Sequence, residues 1–241
     1  MVKGVVLCAG EGTRLRPLTN DRPKVMVEIG GRPLLEQHVR MLKHFGITEI
    51  AFNIFHKKDV IKSHFGDGSR FGVRIHYLEE EQLSGTAGAI KQLEGFLDQT
   101  FVVQYGDVAA AYDVKRFIAH HKKHGGIATL FVHPSGHPYD SDIVEMDKDL
   151  RVRRFKRVKQ GEDFVNLTNA GAYVMEPAIC RHIPSRQNLD FGRDVFVKIL
   201  PDSKVRIYGY PCDEYTKDMG TMDRLKQVEA DLAAGKFRFY G

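Results

Sequence analysis

A short apolar run, Val5-Val6-Leu7, leads straight into Cys-Ala-Gly-Glu-Gly-Thr-Arg-Leu-Arg-Pro, and no other feature restricts the fold as tightly. The β-branched residues favour an extended segment. Gly10 and Gly12 then end it in a turn open to positive φ and close backbone approach. Successive N–H groups in such a turn can point at phosphate oxygens, while Arg14 and Arg16 add forked cationic donors. The loop therefore has the composition a polyphosphate needs. It is not a P-loop, because no Gly-x-x-x-x-Gly-Lys-Ser/Thr occurs in the chain. Nor is it the dinucleotide fingerprint, since Leu15 stands where the third glycine would fall. A plain core turn leaves Arg14, Arg16 and Lys24 beside the glycines unexplained.

Strand-like and helix-like segments alternate along the rest of the chain, which argues for an α/β sheet with mostly parallel strands. Helices are expected over 33–45, 113–124, 190–200 and 221–234. Strands are expected over 48–55, 73–78, 101–105, 127–132, 169–175 and 205–210, with a hairpin around 143–155. Pro33 suits a first helical turn, and Gly46 suits the stop after it. At 241 residues with 42% hydrophobic and 28% charged content, a soluble single domain with ample core is expected. No apolar run is long enough to span a membrane, and strand-like sequence from Val2 leaves no room for a signal peptide. Cys8, Cys180 and Cys212 are odd in number and widely spaced, which disfavours a disulfide framework and suits a cytoplasmic setting. The net charge of +5 is spread along the chain, so a phosphate site accounts for it better than nucleic acid does.

Residues 4–33 carry Leu-x-Ala-Gly-x-Gly-Thr-Arg-Leu-x-Pro-Leu-Thr followed by Pro23-Lys24. This resembles the signature of the sugar-1-phosphate nucleotidylyltransferases, the nucleotide-sugar pyrophosphorylases, and further matches run towards the C-terminus. The resemblance implies a Rossmann-like mixed, mostly parallel sheet flanked by helices, in one domain. Within it, about 1–133 would bind nucleotide and about 134–241 sugar phosphate, with no C-terminal β-helix. It implies attack of a sugar-1-phosphate oxygen on the α-phosphorus of a nucleoside triphosphate, with pyrophosphate leaving. Such a reaction needs positioning and charge neutralisation rather than a protein nucleophile. Mg²⁺ is the expected cofactor, held by one or two carboxylates.

Asp107, after the strand 101–105, stands where α/β sheets place ligands, although Gly-Asp is also a common turn. The resemblance makes it a metal ligand together with Asp218 of Tyr-Thr-Lys-Asp-Met-Gly-Thr, with Thr221 expected to cap the helix that follows. It gives Arg14, Lys24 and Asp107 the catalytic roles. Arg14 would grip the triphosphate, and Lys24 would bridge the nucleotide and sugar phosphates. Nucleotide contacts are implied for Leu7, Ala9, Gly10, Gly12, Thr13, Arg14, Gly85 and Thr86, although Ser84-Gly85-Thr86 also reads as a simple capped helix start. Sugar-phosphate contacts are implied for Lys24, Gly106, Asp140, Arg157, Asn169, Gly171 and Lys217. Lys217 could equally be solvated, and Asp140 with Asp142 could form an acidic turn.

One departure stands out. The family usually carries Phe-x-Glu-Lys-Pro before the strand that begins at Asn169, whereas this chain reads Phe155-Lys156-Arg157-Val158-Lys159. Arg157 or Lys159 is therefore expected at the sugar phosphate. The segments His137–Asp142, Asn166–Ala170 and Asp190–Phe196 resemble D-glycero-D-manno-heptose-1-phosphate and mannose-1-phosphate guanylyltransferases. That resemblance implies GTP and a role in surface-polysaccharide synthesis, with UTP or dTTP enzymes and a non-catalytic sugar-nucleotide sensor as alternatives. The expected partners are these small molecules, without nucleic acid or membrane, in a homodimer or homo-oligomer. His120, His121 and His124 are expected on a solvated basic helix face rather than at a metal.

Overall fold

The computed structural model describes residues 2–136 and 138–241, without the side chain of Asp140. His137 and the Asp140 carboxylate thus lie outside the described residues. The chain forms two compact units, each discontinuous in sequence. One comprises Met1–Leu83, Val103–Val114 and Glu214–Gly241, and the other Ser84–Val102 and Lys115–Asp213. Neither coincides with a 1–133 or a 134–241 stretch.

In the first unit, strand Lys3–Leu7 pairs in parallel with Glu49–Ile54, which pairs in parallel with Arg74–Glu79. Parallel neighbours need crossovers. The first is helix Leu34–His44, whose buried face includes Leu34, Leu35, Val39, Met41 and Leu42. A Cβ on Gly4 would lie 3.1 Å from Leu42 Cδ1, so the helix packs close against the strand there. Gly46 stops the helix at φ 82°, where Gly46 N–H donates to Lys43 O and Ile47 N–H to Leu42 O. The second crossover contains helix Lys58–Phe65, which the sequence pattern does not announce because only Ile61 and Phe65 are buried.

A two-stranded antiparallel ribbon joins Val108–Ala111 to Tyr215–Asp218, and helix Met222–Ala233 follows. Thr221 caps that helix as expected, its Oγ1 accepting from Arg224 N–H at 3.4 Å. Leu15, Val27, Ile29, Leu34, Ala109, Met219, Leu225, Val228 and Phe237 form one apolar cluster. It draws on the glycine loop, the ribbon and the last helix together. Burying each larger side chain contributes roughly 1.5–3 kcal/mol, which fixes three segments distant in sequence against one another.

In the second unit, Ala128–His133 pairs antiparallel with Thr168–Met175 and parallel with Ile207–Pro211. The expected hairpin is present as Ile143–Met146 and Val152–Lys156. Parallel strands in one unit and mixed pairing in the other, with helices flanking them, make up the α/β class that the alternation predicts. Two local expectations need correction. The 190–200 helix is a π-helix, Phe191–Phe196, followed by one α turn, Val197–Ile199. The histidines are not a solvated face: His121 is 1% exposed, with Nδ1 2.8 Å from Thr129 Oγ1 and Nε2 3.1 Å from Glu176 Oε1. His120 Nε2 lies 3.0 Å from Gly209 O. Polar partners on other segments, invisible in a helical projection, hold the rings of His120 and His121.

Candidate functional site

Four segments of the first unit meet around one ammonium group. Strand Lys3–Leu7 delivers the glycine loop, in which Gly12 adopts φ 67°. A Cβ on Gly12 would sit 2.8 Å from Lys24 Cβ, so only glycine lets the loop pass this close to the lysine. Thr19 Oγ1 donates to Gly12 O at 2.9 Å and holds the turn. Gly106 fits for a related reason. Its N–H donates to Leu7 O at 2.9 Å, and a Cβ there would stand 2.6 Å from the same oxygen. In the ribbon, Asp218 pairs with Val108, and Met219 N–H donates to Asp107 O at 3.1 Å. This register sets Asp107 and Asp218 side by side, although 111 positions separate them in the chain.

Lys24 Nζ lies 2.6 Å from Asp107 Oδ2 and 3.5 Å from Asp218 Oδ1. The lysine side chain is only 7% exposed, whereas the carboxylates are 40% and 39% exposed. The cation is thus held from below and the anions face solvent. Arg224, on the first turn of the last helix, also pairs with Asp218. Arg14 reaches the same place, since a Cβ on Gly220 would fall 3.1 Å from Arg14 Nη2 and 3.0 Å from both Asp218 carboxylate oxygens. Sequence reading missed Arg224, and its one available signal was its position three residues after the capping Thr221. Gly10 has no atom within 4 Å of where its Cβ would be, so this side of the loop is open. Leu7 is half-buried, Ala9 is buried and Thr13 is exposed.

The electrostatics disfavour Cys8 as a nucleophile. Cys8 N–H donates to Asn53 Oδ1 at 2.8 Å, which ties the strand end to its neighbour. Burial first, and then the negative charge of Asp107, push the Cys8 thiol well above its ordinary range. It stays protonated. The two carboxylates offer oxygen donors only, which suits a hard divalent cation that keeps waters and phosphate oxygens in its shell. Among the described residues no group of three or more His, Cys, Asp or Glu could hold a metal. An ion here would therefore rely on Asp107, Asp218 and whatever anion accompanies it.

Lys217 neighbours Asp218 but turns to the other face of the strand, 3.3 Å from Asp231 Oδ2. Arg16 is exposed.

In the second unit, Gly85 has φ 72° and Thr86 Oγ1 donates to Asp190 Oδ2 at 2.9 Å while accepting from Phe191 N–H at 3.0 Å. The hydroxyl expected near nucleotide is thus already bonded at both ends. Asp190 Oδ1 accepts from Gly192 N–H at 2.9 Å and from Arg193 N–H at 3.2 Å, capping the π-helix. Arg157 Nε lies 2.7 Å from Asp142 Oδ1, so the basic residue in place of the family glutamate has an acidic neighbour. Asn169 Nδ2 donates to Tyr173 Oη at 2.6 Å, and Asn169 Oδ1 accepts from Gly171 N–H at 3.1 Å. Gly171, at φ 71°, sits within an irregularity in the pairing with Ala128–His133.

Residues 3–235 match the family described as nucleotidyl transferase. The chain is 35% identical over 235 residues to mannose-1-phosphate guanylyltransferase of Mycobacterium tuberculosis, covering 97% of this chain and 65% of that protein. It is 32% identical over 234 residues to UTP–glucose-1-phosphate uridylyltransferase of Synechocystis, covering 91% of this chain and 60% of that one. The chain therefore spans less than two thirds of the length of these two relatives. In fold it is similar to HddC of Yersinia pseudotuberculosis, with a TM-score of 0.79 at 24% identity over 96% of this chain and 100% of that one. Among the described residues no helix is long and apolar enough to cross a membrane.

Proposed function

The chain belongs to the nucleotidyl transferase family, and from that premise we propose that it transfers a nucleotidyl group from a nucleoside triphosphate to a sugar-1-phosphate. The observation that carries this reading is the buried Lys24 ammonium beneath two half-exposed carboxylates, with Arg14 and the open side of the glycine loop beside it. The sugar phosphate oxygen attacks the α-phosphorus. The bond from that phosphorus to the bridging oxygen breaks, and pyrophosphate departs with the electron pair. Loop N–H groups and Arg14 bind the triphosphate and draw off the charge that develops on the leaving pyrophosphate. Lys24 exchanges its carboxylate partners for phosphate oxygens and holds the sugar phosphate against the α-phosphate. Mg²⁺, held by Asp107 and Asp218, would supply the remaining charge neutralisation. Arg224 orients Asp218 for that role. Asn169, Gly171 and Arg157 are assigned to the sugar and its phosphate.

For the substrates we propose GTP with mannose-1-phosphate or D-glycero-D-manno-heptose-1-phosphate, in cytoplasmic synthesis of surface polysaccharide. The likeness to the Mycobacterium tuberculosis guanylyltransferase supports GTP and mannose-1-phosphate. A second reading, UTP with glucose-1-phosphate, is favoured by the 32% identity to the Synechocystis uridylyltransferase. Pyrophosphate release should be followed over four nucleoside triphosphates and several sugar-1-phosphates with Mg²⁺ present. Release confined to GTP with a manno-configured sugar phosphate supports the first reading. Release with UTP and glucose-1-phosphate replaces it with the second, and silence from folded protein removes both.

A further inference from the structure

A cavity of about 230 Å³ in the first unit is lined by Arg40, Lys43, His44, Arg70, Phe71 and Gly241, none of which is assigned to the transfer reaction. We propose that it binds a small phosphate-bearing anion, either inorganic phosphate or a compact phosphomonoester. Its charge is the first reason. Three cations, Arg40, Lys43 and Arg70, line it, and Glu36, which pairs with Arg40 at 2.8 Å, is itself shared with His64 at 3.0 Å. An excess of cations on a cavity wall attracts anions.

Preorganisation is the second reason. Gly68 and Gly72, at φ 88° and 70°, bracket the turn Ser69–Phe71, and Asp67 Oδ1 accepts from Ser69 N–H at 2.9 Å. The turn therefore presents Arg70 from a fixed backbone. The Arg70 guanidinium donates to His64 O at 2.6 Å and lies 4.9 Å from the Phe71 ring centre, while the His64 and Phe71 rings stack at 5.7 Å. Lys43 folds over Gly72 so closely that a Cβ there would lie 2.5 Å from its Nζ. An arginine already held in place loses little freedom when a ligand arrives. Size is the third reason: the cavity is smaller than the roughly 300–1,000 Å³ typical of drug-sized ligands, which favours a phosphate over a nucleotide.

The test is amide chemical-shift mapping of the whole chain, titrated with inorganic phosphate and separately with glycerol-3-phosphate at constant chloride. Saturable shifts confined to 40–44 and 69–72 are expected, distinct from any at 10–14. The double variant Lys43→Gln/Arg70→Gln should weaken this binding about tenfold or more, and Arg14→Gln should leave it in place. Tighter binding of glycerol-3-phosphate identifies a phosphomonoester site, and equal or tighter binding of phosphate identifies a phosphate site. If neither probe shifts 40–44 and 69–72 in the unmodified protein, or the double variant binds as well, the proposal is wrong.

Discussion

Lys217 and Asp218 are neighbours on one strand, yet they belong to two different carboxylate–lysine clusters. Asp231, 5% exposed on its side chain, accepts from Lys236 at 2.7 Å, Gln227 at 2.9 Å, Tyr215 at 3.1 Å and Lys217 at 3.3 Å. Both of its oxygens are engaged and little of it meets solvent. Asp107 and Asp218 are about two-fifths exposed, and the buried member of their cluster is the lysine. The same residue types thus give a closed structural joint on one face of a strand and an open, ligand-ready group on the other. What separates them is unfilled valence facing water.

The largest effect expected from breaking this contrast is on turnover. Asp107→Asn should lower kcat by about 100-fold or more while the thermal midpoint stays near that of the parent. Near-parental turnover at low Mg²⁺ would remove Asp107 from the metal role. Gly12→Ala should also depress kcat/KM, by about tenfold or more, because a methyl group 2.8 Å from Lys24 Cβ must displace the lysine and φ 67° strains the new residue. A crystal structure with Lys24 unmoved would show that the glycine serves something else.

On the closed face the effect should fall on stability instead. Asp231→Asn should cost about 1–3 kcal/mol in denaturant unfolding, with kcat of the folded protein unchanged. The Lys236 hydrogen bond leads the interactions that hold the Asp231 carboxyl well below the usual carboxylate range. A group depressed in the folded state adds stability above its unfolded pKa of about 3.9. That stability is lost as pH falls below this value towards the lower folded one. The variant should therefore show a shallower loss of stability on acidification below about pH 4. A slope equal to the parent's would mean that Asp231 is not what the cluster depends on.

The smallest effect is expected from Lys217→Gln: about 0.5 kcal/mol of stability and less than about a twofold change in KM for sugar phosphate. A tenfold rise in KM would transfer Lys217 to the open cluster and redraw the contrast.

The glycine loop, most strands and the capped last helix were readable because each depends on residues close in sequence. Gly12, Gly46 and Thr221 act on backbone within a few positions of themselves. The ribbon strand Val108–Ala111 was not readable, since three alanines carry little strand preference and its pairing partner begins at Tyr215. Helix Lys58–Phe65 buries too few side chains to leave an apolar stripe. The inward turn of His121 depends on Thr129 and Glu176, which lie outside its helix.

The sequence by itself determined an α/β chain with a cation-rich glycine loop, because periodicity and glycine conformation are local properties of the backbone. Only the tertiary structure decided that Asp107 and Asp218 share Lys24 and that Arg224 joins them. It also decided that Lys217 faces Asp231 and that Thr86 is bonded to Asp190. Those outcomes turn on strand register and on which partner fills each hydrogen-bonding valence. Both are set by packing between segments that are distant in sequence.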